Sequence, residues 1–136
     1  MKDKRRVMIV DDMPFMRNLL ASILTIGDYD VVAEASDGAE AVRFFTEYRP
    51  DIILLDLDMP KVSGIEAMGQ IRELDAEALV VLCGTSNNKG LPGHFTTAPD
   101  IDVITKPYVA EEVLRTIRKA TCRHRITSEE QGNGRM

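Results

Sequence analysis

The chain has 136 residues, enough for one domain that buries roughly two thirds of its unfolded surface. Hydrophobic residues make up 44% and charged residues 29%, and the net charge of -5 argues against a nucleic-acid binder that works by simple electrostatics. No apolar run reaches the ~18 residues a membrane span needs, and the N-terminus lacks an apolar signal core, so a cytoplasmic protein without a membrane partner is expected.

In chain order, the basic start (Lys2, Lys4, Arg5, Arg6) leads into an apolar run, Val7 to Val10, that stops abruptly at Asp11-Asp12. Met16, Leu19, Leu20 and Ile23 follow helical spacing, and Pro14 suits a first helical turn. Val31 to Ala35 reads as a second strand, and Ala41, Val42 and Phe45 mark a helix after Asp37-Gly38. Ile52 to Leu55 is a third strand that ends at Asp56; Ile65, Met68 and Ile71 then mark a helix opened by Ser63-Gly64. Ala78 to Cys83 is a fourth strand, ending at Gly84-Thr85-Ser86. Asn87 to Ile101 contains Gly90, Pro92, Gly93 and Pro99 and no helical stripe; with Gly costing about 1 and Pro about 3 kcal/mol inside a helix, a short, irregular fourth helix or an ordered loop is expected. Asp102 to Thr105 is the fifth strand, followed by Lys106-Pro107. Ala110, Val113, Leu114 and Ile117 mark the last helix, with Glu111 and Glu112 in its first turn. The domain is expected over residues 1–121, with 122–136 a polar, disordered tail.

The apolar runs are continuous rather than alternating, as in strands buried on both faces. Strand and helix alternate, which predicts an α/β fold: a parallel sheet with right-handed crossovers and helices on both faces. Cys83 and Cys122 are expected as free thiols, since a chain of this size with a real core needs no disulfide. The basic residues Arg115, Arg118, Lys119, Arg123 and Arg125 read first as solvated surface near a helix C-terminus.

Ligands of open α/β sheets bind outside the carboxyl ends of the strands. Asp11, Asp12, Asp56, Asp58, Thr85, Ser86 and Lys106 all stand at those ends. Two like charges ~4 Å apart repel by about 1 kcal/mol in water and about 4 near a protein surface, so such carboxylates call for a cation. Mg2+ suits an oxygen-only site that also takes a phosphate, and Lys106 adds a point charge for a phosphoryl oxygen. A carboxylate so placed can attack phosphorus to form an acyl phosphate, and Asp56, at the end of a central strand, is the candidate nucleophile. Asp58 and Met59 can offer a backbone carbonyl to the metal. Each piece alone also has a plainer reading: acidic pairs and Ser or Thr serve as helix caps, and Lys-Pro is a common turn. Their joint placement carries the argument.

Val7-Met8-Ile9-Val10-Asp11-Asp12, the run Asp51 to Pro60 with Gly64, and Val103-Ile104-Thr105-Lys106-Pro107 resemble the signature blocks of bacterial response-regulator receiver domains. The similarity spans roughly residues 5–121, and Asp12-Met13-Pro14-Phe15-Met16-Arg17 is most similar to the single-domain, CheY-like chemotaxis type. The resemblance implies a doubly wound, flavodoxin-like sheet of five strands in the order 2-1-3-4-5. It implies phosphorylation of Asp56 by a sensor histidine kinase or phosphotransfer protein, Mg2+ held by Asp11, Asp12, Asp56 and the carbonyl of Asp58, and Lys106 against the phosphoryl group. Signalling would be by contact with a downstream protein, without turnover of a substrate and with no output domain in the chain.

Two departures from the family pattern stand out. The switch Ser or Thr lies 22 positions before the lysine, where this chain has Gly84; either Thr85 shifts in or that hydroxyl is missing. The aromatic switch residue, three before the lysine, is Val103. Two alternatives follow. One is a receiver-like docking module that no longer accepts phosphate. The other is a phosphohydrolase of the haloacid-dehalogenase type, in which Asp56-Leu57-Asp58 would supply nucleophile and general acid.

Overall fold

The computed structural model describes residues 4–59, 64–84 and 102–133, with side chains as far as 124. The described strands are β1 (Arg6–Val10), β2 (Asp30–Ala35), β3 (Ile52–Asp56), β4 (Leu79–Gly84) and β5 (Asp102–Thr105); the helices are α1 (Pro14–Ile26), α2 (Gly38–Tyr48), α3 (Gly64–Leu74) and α4 (Ala110–Asn133). All strand pairs are parallel and the order is β2-β1-β3-β4-β5, as the sequence predicts. Thr85, Ser86 and the irregular segment 87–101 lie outside the described residues.

The central strands are buried at every residue, β3 and β4 throughout and β1 from Val7 on. Successive side chains alternate between two cores. Met8, Val10, Ile53, Leu55, Val80 and Leu82 pack with Ala41 and Phe45 of α2 and with Ala67, Met68 and Ile71 of α3. Val7, Ile9, Ile52, Leu54 and Val81 pack with Leu20, Ile23 and Leu24 of α1 and with Val113, Ile117 and Ala120 of α4. Strands sandwiched this way have no polar face, which is why the sequence shows continuous apolar runs.

Local chemistry sets the helix ends. Pro14 opens α1, where its missing N–H costs nothing. Asp37 caps α2 by accepting from the Glu40 amide, and the Glu40 carboxylate reaches back to the Ser36 amide and hydroxyl, which lowers its pKa. Arg49, with φ 47°, ends α2 in the left-handed conformation. α4 runs through residue 121, where the sequence placed the domain boundary, and on to Asn133. From Ala110 onward it meets no Gly or Pro until Gly132; the tail was expected from the polar, Gly-containing end of the chain. Arg123 pairs with Asp102 of β5, and the His124 ring meets the carbonyl of Glu77 just before β4. Both cysteines are free thiols, Cys83 buried and Cys122 exposed.

Gly64 positions the site directly. A Cβ there would meet the backbone oxygen of Asp56 at 2.6 Å, so only glycine lets the start of α3 lie against the end of β3. Gly64→Ala is expected to lower stability by about 1–3 kcal/mol, because the atom in the way is main chain and cannot rotate aside. Denaturant melts measure this; an unchanged midpoint would show that α3 shifts at no cost.

Candidate functional site

The carboxyl ends of β1, β3 and β5 meet at one rim of the sheet. Two hydrogen bonds extend the ladder past the strands: Leu57 N donates to the Cys83 carbonyl and Lys106 N to the Gly84 carbonyl, each at 2.8 Å. They aim the residues that follow. Asp11 is fully buried and Asp56 is 2% exposed, the two buried acidic side chains among the described residues, while Asp12 beside them faces solvent. Asp11, Asp12 and Asp56 each bring a carboxylate oxygen within 4.8 Å of the others.

Lys106 closes the cluster. Its Nζ donates to Asp56 Oδ1 at 2.9 Å and lies 3.3 Å from Asp58 Oδ2, with the side chain 15% exposed. Asp56 Oδ1 also accepts from the Asp58 amide at 3.0 Å. Burial works against the Lys106 ammonium, but the hydrogen bond to Asp56 and the charges of Asp56, Asp11 and Asp58 outweigh it, and its pKa is raised. Asp11 moves up as well: burial is the largest cause, the Met13 amide opposes it, and the charges of Asp56 and Asp12 add to it against Lys106. One ammonium therefore serves three carboxylates.

Asp11 Oδ2 tests whether a metal fits. It is buried and has no hydrogen-bond partner among the described residues, while Oδ1 accepts from the Met13 amide at 2.9 Å. A desolvated carboxylate oxygen with no donor is costly unless a cation meets it. The three carboxylates of Asp11, Asp12 and Asp56, close enough to share one ion and offering oxygen only, suit a hard divalent ion such as Mg2+.

The competition between proton and metal at Asp11 predicts a pH dependence. Its folded pKa lies above 3.8, so without metal its contribution to stability is full below 3.8 and is lost as pH rises through the folded value. A divalent ion binds the ionised form. Stabilisation by Mg2+, read as the difference between melts with Mg2+ and with a chelator, should therefore be large at neutral pH and shrink as pH falls toward 3.8. A difference independent of pH would remove Asp11 from the ligand set.

The structure thus brings together Asp11, Asp12, Asp56, Asp58 and Lys106, all singled out in the sequence. Asp58 enters in an additional way, since its carboxylate reaches Lys106; a strand-end Asp-x-Asp spacing was the available signal. Gly84 ends β4 opposite Thr105, and among the described residues the nearest atoms to an added Cβ are Leu57 side-chain carbons at 3.4 Å or more, so a Cβ meets no close contact there. Val103 is half-buried against the core shared with α2 and α3. Cys83 pairs with Asp56 across β3 and β4, but burial pushes its thiol up to about 12, so it stays protonated and is no rival nucleophile. The residue the sequence did not single out is Arg17, whose guanidinium reaches the main chain of Asp11.

Fold and site define a class. The chain belongs to the response regulator receiver domain family, whose profile matches residues 7–118, and it is a receiver domain of the CheY type. It is 39% identical over 115 residues to the chemotaxis protein CheY of Listeria monocytogenes, covering 85% of this chain and 97% of that protein. The chemotaxis protein CheY of Bacillus subtilis is 38% identical over 114 residues, covering 84% of this chain and 95% of that protein. Among solved structures, the CheX–CheY–BeF3–Mg complex from Borrelia burgdorferi superposes with a TM-score of 0.78 at 29% identity, covering 86% of this chain and 89% of the matched one. Family membership removes the support for the phosphohydrolase alternative. No helix among the described residues is long and apolar enough to cross a membrane.

Proposed function

We propose that this protein is a cytoplasmic signalling switch that accepts a phosphoryl group on Asp56. The observation that carries the reading is the pairing of a nearly buried Asp56 with Lys106 at 2.9 Å beside the Asp11–Asp12 cluster. The donor is a phosphohistidine of a sensor kinase or phosphotransfer protein. A carboxylate oxygen of Asp56 attacks phosphorus as the N–P bond of the phosphohistidine, protonated on its other ring nitrogen, breaks, leaving an acyl phosphate and a neutral imidazole. Phosphoryl transfer has a loose transition state, so the protein's task is to align the groups and neutralise charge. Lys106, already held by Asp56 and Asp58, shifts onto a phosphoryl oxygen. Asp11, Asp12, Asp56 and the carbonyl of Asp58 would hold Mg2+, which supplies the further positive charge that draws carboxylate and phosphoryl group together. Met13 and Phe15 follow Asp12 in the chain and are strongly exposed, an apolar surface against which a donor protein can rest.

Signalling then proceeds by contact with a downstream protein, with self-catalysed hydrolysis as the way back and no turnover of a substrate. Gly84 and Val103 set this receiver apart. With no hydroxyl at Gly84 and no ring at position 103, the relay from Asp56 to the partner face must run through other groups, of which Thr85 is the nearest in sequence. Incubation with acetyl phosphate and Mg2+, followed by intact-mass measurement, tests the reading. One phosphoryl group per chain, absent when a chelator replaces Mg2+, is expected. Failure to gain any would leave the non-phosphorylating docking module as the surviving interpretation.

A further inference from the structure

Asp11 is held at three of its four polar groups. Its amide donates to the Ala35 carbonyl of β2 at 3.0 Å, its Oδ1 accepts from the Met13 amide at 2.9 Å, and its carbonyl accepts from Arg17 Nη1 at 2.7 Å. Only Oδ2 is left, buried and without a partner among the described residues. The first two holds are made with main-chain groups and follow from the sheet and the turn. The third depends on one side chain.

Arg17 sits in the first turn of α1, its side chain 19% exposed, and its Nε lies 3.5 Å from Glu34 Oε1. Glu34 directly precedes Ala35 on β2. A guanidinium presents its donors in one rigid plane, so a carboxylate on one edge sets the direction of the other. Glu34 thereby aims Arg17 at the Asp11 carbonyl. Strand β2 grips Asp11 twice: through Ala35 on the amide side and through Glu34 and Arg17 on the carbonyl side.

We propose that Arg17 is a positioning residue for the divalent cation, locking the Asp11 main chain so that Oδ2 faces the ion, with Glu34 setting its aim. The proposal rests on the reading of this cluster as a metal site. Charge alone would act the other way. A guanidinium this close to the carboxylates repels a divalent ion, so its removal should tighten binding if charge were its whole influence. Positioning demands that removal weaken binding, and the sign decides between the two.

The test is calorimetric titration of the full chain with Mg2+ and, separately, Mn2+, with no phosphodonor present. Arg17→Met and Arg17→Gln are expected to bind both ions about tenfold more weakly than wild type, the scale typical of lost support behind a metal ligand. Their melting temperatures in chelator should stay close to wild type. Arg17→Lys, which keeps the charge and one donor but loses the planar fork, should fall between. Unchanged or tighter binding in either neutral variant overturns the proposal. Should neither neutral variant fold, Arg17→Lys decides instead, and wild-type affinity in it overturns the proposal. Asp12→Asn is the control for the site. If wild type binds neither ion, or Asp12→Asn binds as tightly as wild type, the metal reading itself fails, an outcome distinct from a site that binds but ignores Arg17.

Discussion

Asp56→Asn is expected to gain no phosphoryl group from acetyl phosphate and Mg2+, a loss of at least ~10^3-fold in rate, the scale on which removing a nucleophile usually acts. An amide oxygen has the shape of the carboxylate oxygen and little of its nucleophilicity. The fold should survive the change. Asp56 Oδ1 accepts from Lys106 and from the Asp58 amide, and the Asn side-chain oxygen can accept from both. The substitution also removes one negative charge from a crowded cluster, so melting without metal should not fall. The readout is a time course of intact mass alongside a thermal melt. Equal modification of the variant would mean that another residue takes the phosphoryl group. Asp58, exposed and two residues on, would then be the first to examine.

Lys106→Met is expected to destabilise the protein by about 3 kcal/mol in chelator. Removing one partner of a buried ion pair costs ~3–5 kcal/mol, because the remaining charge stays desolvated and unpaired. The lower end applies here, since Asp12 and Asp58 open the cluster to water. For a chain of this size the change corresponds to roughly 10 °C in melting temperature. Met fills much the same volume as the lysine stem, so the effect reports charge and not packing. Mg2+ should restore part of the loss in the variant and add less to the wild type, because the ion takes over neutralisation that Lys106 otherwise shares. A variant as stable as wild type in chelator would show that the carboxylates are protonated or well solvated without the lysine. The idea of an electrostatically crowded site would then fail.

Some parts of the protein are legible in one dimension. The central strands are, because burial on both faces leaves a run such as Ile52-Ile53-Leu54-Leu55 with no polar residue to break it. So are the strand-end residues Asp11, Asp12, Asp56 and Lys106, since a charged residue directly after such a run must lie at the sheet's rim. The last helix was placed correctly at its start by Ala110, Val113 and Ile117, while its continuation to Asn133 was not seen. Local polarity there suggested a tail. Contacts from Arg123 to Asp102 and from His124 to Glu77 span 21 and 47 residues, and no local pattern announces them.

What the sequence determined by itself was the inventory and its order: five apolar runs, helices between them, and which charged residues stand at the ends of the first, third and fifth strands. Periodicity and abrupt polarity changes are properties of neighbours along the chain, so they can be read from it. What only the tertiary structure decided was which of those groups touch. That Lys106 lies 2.9 Å from Asp56, 50 residues away, follows from β4 lying between β3 and β5 and from ladder bonds that run one residue past the strands. That the Asp11 main chain is gripped by β2 and α1 together, with one side-chain oxygen left without a partner among the described residues, depends on Arg17 and Glu34 from different elements. Electrostatic energy depends on separation in space, and separation in space is set only once the sheet is assembled.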